Sequence, residues 1–335
     1  MPIDLSPIND VHDLLFEIPL KVKQGHRFQP TGFPDLGAAE FDTPNGRSLL
    51  VESAQSMANR LEAVCWDDSA NDLIEPLRGL SYVKVLNGTE FLTSSVLEAH
   101  RLNSPYIEKA KPSCHEKIQE ALGAKNLPVD RRRFVKTVFK YDVGSLLHGV
   151  FLESIDGRLR IARAISAFIE ADGVKTAASG GVKNDRVQAA KDEAGGRTAK
   201  EGFGNLPFPR DEYTAEKITL YASIDLAQIR GYGLDDDATR LLILLALFKL
   251  RSFVDSPMRL RTACSFELRD AGDIASKNVP AFKLPARDEF VGTKKEGDGK
   301  WSGDLPVLIG KLAVTADGEE TSTEKMRVTN VTFTA

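Results

Sequence analysis

A chain of 335 residues is long enough for one large domain or two ordinary ones. With 42% hydrophobic and 27% charged residues, 26 Gly and 16 Pro, collagen-like, disulfide-scaffold and wholly disordered classes are excluded. A net formal charge of −4 argues against a small basic nucleic-acid-binding module, but leaves the distribution of charge open.

Leu14–Val22 reads as a strand, and Pro19 implies an edge position or a bulge because proline cannot donate to a ladder. A turn-rich loop runs from Gln24 to Pro34. Val51, Ala54, Met57, Ala58, Leu61, Val64 and Cys65 then recur at three- and four-residue steps and predict an amphipathic helix. Gln55, Ser56, Asn59 and Arg60 occupy its other side. Weak periodicity and mixed charge from Asp67 to Arg133 predict an insertion with short helices. Phe134–Tyr141 and Ser145–Glu153 read as strands. Leu159, Ala162, Ile165, Phe168 and Ile169 predict a second amphipathic helix.

Composition changes at Val174. From there to about Tyr213 the chain is rich in Gly, Ala, Lys and Asp and predicts a projecting loop. Ile218–Leu226 alternates strictly and predicts a half-buried strand. Asp235, Asp236 and Asp237 suit the start of a helix, whose body Leu241–Phe248 is apolar all round and must be buried. Met258–Leu268 reads as a strand with Arg259 and Arg261 on its polar face. After a long loop, Ala271–Gly303, Val307–Val314 and Arg327–Phe333 read as strands. Half-polar strands mixed with helices predict an α+β fold of the ferredoxin-like or RRM-like kind, elaborated by insertions. A doubly wound parallel sheet would demand near-continuous apolar strands.

Cys65, Cys114 and Cys264 show no metal-binding spacing, which fits buried thiols in a reducing cytoplasm. Residues 1–13 lack the basic start of a signal peptide. The longest apolar run, Leu241–Phe248, falls far short of the ~18 residues that suggest a membrane span. The expectation is a cytoplasmic protein with no membrane partner.

The familiar nucleotide, metalloprotease and serine-hydrolase motifs are missing. Gly180-Gly181-Val182-Lys183 resembles a phosphate loop only superficially, since no Ser or Thr follows Lys183. His26 beside Arg27 offers a general acid or base for RNA cleavage, without a second histidine nearby. Asp35 and Glu40 offer loop carboxylates, but no metal or other cofactor is expected. Charge is uneven along the chain: residues 1–20 carry −4, residues 175–201 carry +2, and residues 249–261 carry +3. Such polarity suits a protein with one face toward phosphates, and the cations with neighbouring amides would fix a nucleic-acid backbone without reading sequence.

Five strings go beyond pattern: QGHRFQPTGFPDL (24–36), VESAQSMANRLEAV (51–64), GGVKNDRV (180–187), QIRGYGL (228–234) and LRTAC (260–264). Together they resemble the repeated backbone subunit of type I CRISPR Cascade complexes, a RAMP-superfamily protein, in the form found in subtype I-G (formerly I-U). The resemblance implies an RRM-like palm of residues 1–66, 134–173 and 215–335, a finger-like insertion of 67–133, and a flexible thumb of 174–214. It implies stacking of several copies along one CRISPR RNA, pairing of that guide with a target DNA strand, contacts with other Cascade subunits, and no catalysis. The residues and the resemblance converge on Gln24, His26, Arg27, Gln29, Ser56, Arg60, Lys183, Asn184, Arg186, Arg230, Arg259 and Arg261 as RNA contacts. Three rivals stay open: a RAMP-type endoribonuclease processing the CRISPR transcript through His26, a metal-assisted nuclease using Asp35, and a protein that binds only other proteins.

Overall fold

The computed structural model describes residues 2–33, 37–123, 128–155, 157, 159–183, 206–297, 299–313 and 325–333. Alternation sets the first strand: in β1 (Asp13–Val22), Leu14, Phe16, Ile18 and Leu20 are buried while Glu17, Pro19 and Lys21 are exposed. The edge position expected from Pro19 is corrected: the strand is paired on both sides, by residues 217–225 and 264–268. On the second side the ladder stops at Leu20, where Pro19 has no N–H to give and only its carbonyl accepts, from Arg269 N at 3.0 Å.

The strands β2 (Glu40–Thr43) and β3 (Gly46–Glu52) lead into α1 (Ala54–Ala63), which Ser53 caps by accepting from Ser56 N. The predicted stripe is observed, with Met57, Ala58 and Leu61 buried, although Val51 belongs to the strand and not to the helix. Residues 67–133 contain β4 (Tyr82–Asn87), β5 (Glu90–Ser94) and α2 (Cys114–Leu122).

Several expectations are corrected downstream. Residues 134–141 form a helix, α3 (Arg131–Tyr141), in which Phe134, Val135, Val138 and Phe139 repeat at helical spacing behind the cap of Asp130. Residues 145–153 divide into α4 (Val143–His148) and β6 (Val150–Leu152), separated by Gly149 at φ 80°. The helix expected over 159–169 is two strands, β7 (Leu159–Ile161) and β8 (Ile165–Asp172). Strict alternation in β8 buries Ile165, Ala167, Ile169 and Ala171. The expected loop over 174–213 begins and ends as a paired hairpin, β9 (Lys175–Lys183) with β10 (Leu206–Thr214).

The strand expected over 218–226 is β11 (Lys217–Asp225), followed by α5 (Leu226–Gly231) and α6 (Asp236–Asp255). Asp235 caps α6, and Leu241–Leu250 is buried throughout. Met258–Leu268 is two strands, β12 (Arg259–Arg261) and β13 (Cys264–Leu268), joined by a turn with Ala263 at φ 58°. Within the long loop lies α7 (Arg287–Val291). Of the strand expected over 307–314, residues 307–312 belong to α8 (Asp304–Leu312), whose buried Leu305, Leu308, Ile309 and Leu312 keep helical steps. The final strand, β14 (Val328–Thr332), matches its expectation.

Among the described residues, seven strands form one antiparallel sheet in the order β12-β13-β1-β11-β8-β3-β2. Two strand–helix–strand units interleave within it, β1–α1–β8 and β11–α6–β13. The helix α1 packs on β8 and on α6, and α6 also meets α4, α5, α7 and α8. A second sheet, β14-β4-β5, joins the insertion to a strand about 245 residues further on, with β14 parallel to β4. All three cysteines are buried free thiols, and no helix of the described residues is long and apolar enough to cross a membrane.

Candidate nucleic-acid interface

The loop after β1 is clamped between two hairpins. Phe28 exchanges both backbone hydrogen bonds with Tyr213 of β10 at 2.9 Å, and its ring packs edge-on against Phe266 of β13, 5.6 Å between centroids. Gln29 N donates to Ala263 O in the β12–β13 turn at 2.9 Å. Burying Phe28 in this way leaves Gln24, His26 and Arg27 exposed between the hairpins, with Gln29 half-buried.

Two buried carboxylates organise the cations around this loop. Glu52 ends β3 and is 1% exposed. Ser56 Oγ and Arg60 Nε both donate to its Oε1, the latter at 2.9 Å, and Arg261 Nη2 donates to its Oε2. The guanidinium groups then reach backbone: Arg60 to Leu260 O at 2.6 Å, and Arg261 to Gln29 O at 3.0 Å and Val51 O at 3.2 Å. The second carboxylate, Glu212 of β10, is buried under Arg210 and Arg27; Arg27 Nη1 lies 3.3 Å from it and donates to Ser179 Oγ of β9 at 3.1 Å. Each cluster holds two guanidinium groups on one carboxylate and so keeps one positive charge in excess. The side chains of Arg60 and Arg261 are 27% and 25% exposed, and that of Arg27 is 54% exposed, so the excess faces water.

The structure therefore gathers Gln24, His26, Arg27, Gln29, Ser56, Arg60 and Arg261 at one junction of loop, helix and hairpins. Arg259 is exposed beside it. Arg259 and Arg261 flank the buried Leu260, as the polar face of one strand requires, but only Arg259 is exposed; Arg261, beyond a register shift, is half-buried on Glu52. Lys183 ends β9 opposite Leu206. Asn184, Arg186 and Asp35 lie outside the described residues. Arg230 lies apart: its guanidinium donates to Val11 O at 2.7 Å and Ile8 O at 2.6 Å, and so holds the N-terminal segment.

Glu52, Arg210 and Glu212 do not stand out in the sequence. A signal for the first exists: Glu52, Ser56 and Arg60 follow one another at four-residue steps, one face of a helix extended by one turn. Burial pushes the Cys264 thiol up to about 11, so beside Arg261 it stays neutral. Burial, and then the bond its hydroxyl donates to Glu40 at 2.5 Å, pushes Tyr213 up to about 12. Among the described residues, no three His, Cys, Asp or Glu side chains come together as a metal site.

These features define a mixed α/β protein with a basic surface where loop, helix and hairpins meet. Residues 14–176, just under half of the chain, match the family model described as CRISPR-associated protein GSU0053 (Cas_GSU0053), which supports a role in CRISPR defence. No curated protein matches the chain. Two solved structures resemble it weakly. One, titled CRISPR RNA-guided surveillance complex, pre-nicking, has a TM-score of 0.39 at 10% identity, over 76% of this chain and 72% of that one. The other, titled CRISPR RNA-guided surveillance complex, has a TM-score of 0.32 at 13% identity, over 76% of this chain and 65% of that one. Neither score is high enough to bear on the fold or the function.

Proposed function

We propose that the chain is a CRISPR RNA-binding backbone subunit of a type I-G Cascade, a RAMP-superfamily protein that stacks in several copies along one guide and presents it to target DNA without catalysis. The observation that carries this reading is the exposed loop 24–29 flanked by two clusters that each hold surplus positive charge. Phosphates would meet the exposed edges of Arg27, Arg60 and Arg261 together with Arg259, while the buried carboxylates hold the arginines in place. Strand order supports an RRM-like palm. The run β13-β1-β11-β8 with interleaved crossovers is the arrangement of a ferredoxin-like sheet. Within this reading the palm is 1–66, 134–173 and 215–335, the finger 67–133, and the thumb 174–214, which includes the β9–β10 hairpin.

The deciding experiment is co-expression with a CRISPR array and sequencing of the RNA that co-purifies. Guide RNA protected at regular intervals is the expected outcome. Protein that purifies free of nucleic acid overturns the reading in favour of a protein-only partner. Cleavage of the precursor that disappears in His26→Ala overturns it in favour of the endoribonuclease, and cleavage of guide-complementary RNA in Mg²⁺ or Mn²⁺ in favour of the nuclease.

A further inference from the structure

Gln228–Leu234 divides its residues between two tasks. Arg230 turns to the N-terminal carbonyls, while its neighbours line a cavity of about 470 Å³ remote from loop 24–29. The opposite wall is the first turn of α3. There Arg131 and Arg132 are exposed and engage no other group among the described residues.

The rest of the lining is fixed and largely apolar. Phe134 and Tyr232 are buried, and the Tyr232 hydroxyl is pinned by donating to Leu146 O at 2.6 Å. The Gln228 amide nitrogen donates to Ala162 O at 2.8 Å and to the Tyr232 hydroxyl at 2.7 Å, which leaves the amide oxygen to accept. Gly231 contributes open space, since a Cβ there would meet nothing within 4 Å.

A rigid aromatic wall, one oriented amide and two unengaged guanidinium groups at the mouth match a flat heterocycle joined to a phosphate. A bare phosphate would leave the apolar wall wet, and an aliphatic chain would leave the amide and both cations unanswered. We infer that this cavity takes one nucleotide unit, with its base against Phe134 and Tyr232 and its phosphate at Arg131 and Arg132. That the unit belongs to RNA rests on the function proposed above; a free nucleoside 5′-phosphate presents the same chemistry.

The test titrates the full chain with adenosine 5′-monophosphate by calorimetry and with a fluorescein-labelled single-stranded RNA by anisotropy. Wild type is compared with Arg131→Ala/Arg132→Ala and with Gly231→Leu, which fills open space without touching a charge. Both variants are expected to unfold at the wild-type temperature and to weaken binding by about tenfold. The double arginine variant should also lower the salt dependence of RNA affinity by roughly 0.7 for each phosphate it no longer holds. Nucleotide bound at the pocket without any RNA affinity supports the pocket and sinks the guide-RNA function. RNA bound equally by all three proteins, with no nucleotide bound, overturns the pocket and leaves that function standing. Binding of an acidic peptide in place of either probe also overturns it.

Discussion

Glu52 and Arg261 lie 209 residues apart in the chain and share a charge-assisted hydrogen bond inside the protein. That bond, with Arg60 on the other carboxylate oxygen, fastens the β12–β13 hairpin to the joint between β3 and α1. Glu52→Gln puts an amide NH₂ among guanidinium donors. It should cost about 1–3 kcal/mol by denaturant unfolding, less than a fully buried pair because both arginines can turn to water. An unchanged unfolding midpoint would show that the carboxylate anchors nothing.

Arg230 and Arg259 should separate structure from binding. Arg230→Ala leaves two N-terminal carbonyls without their donor and should destabilise by about 1.5–3 kcal/mol, with the salt dependence of RNA affinity intact. Arg259→Ala should leave the unfolding midpoint in place and lower that salt dependence by roughly 0.7. The reverse pattern in the two assays would invalidate this division.

A second buried pair offers a test by pH. Arg101 donates to both oxygens of Glu62, at 2.8 and 2.6 Å, beneath α6. Burial nevertheless pushes the Glu62 carboxyl up to about 7, against the pull of Arg101. Between the ordinary glutamate range and about pH 7 the folded protein keeps a proton that the unfolded chain releases, so this group's contribution to stability declines as pH rises through that window. Arg101→Met should cost about 3–5 kcal/mol at pH 8, where Glu62 loses the arginine that favours its charged form, and less at pH 5, where it is protonated. Equal losses at both pH values would contradict the account.

His148 works in the opposite direction. It is fully buried, and Lys249 Nζ lies 2.9 Å from its Nε2, so burial and that nearby charge hold its pKa well below the usual histidine range. Below pH ~6.5 the unfolded chain takes a proton that the folded protein refuses, and stability falls with pH. His148→Gln should therefore gain on wild type as pH drops from 7 to 5, by up to ~1.4 kcal/mol per pH unit. Parallel stability curves for the two proteins would refute it.

Elements with strict periodicity were legible in the sequence. Leu14–Val22 and Ile218–Leu226 alternate, and Met57–Leu61 keep helical steps, so local pattern and tertiary burial agree. The failures lie where one pattern suits two structures. Phe134–Tyr141 is rich in aromatic and β-branched residues, as a strand would be, yet its burial follows a helix behind Asp130. At 159–169 the chosen apolar residues fit a helix, whereas the sheet buries every second residue of 165–171. Within the site, arginines were easier to find than the carboxylates that hold them. A lone buried Glu52 among Leu49, Leu50 and Val51 looks like an interruption until Arg261 arrives from the far end of the chain.

The parallel pairing of β4 with β14 also sets a timetable for synthesis. The partner of Tyr82–Asn87 is made about 245 residues later, a delay of roughly 12–50 s at ribosomal rates of 5–20 residues per second. During that interval one edge of β4, with Val83 and Val85 destined for the core, has no strand to close it. The nascent insertion must wait with an open edge, so recruitment of β14 is the step at which a shortened or stalled chain would become prone to aggregate.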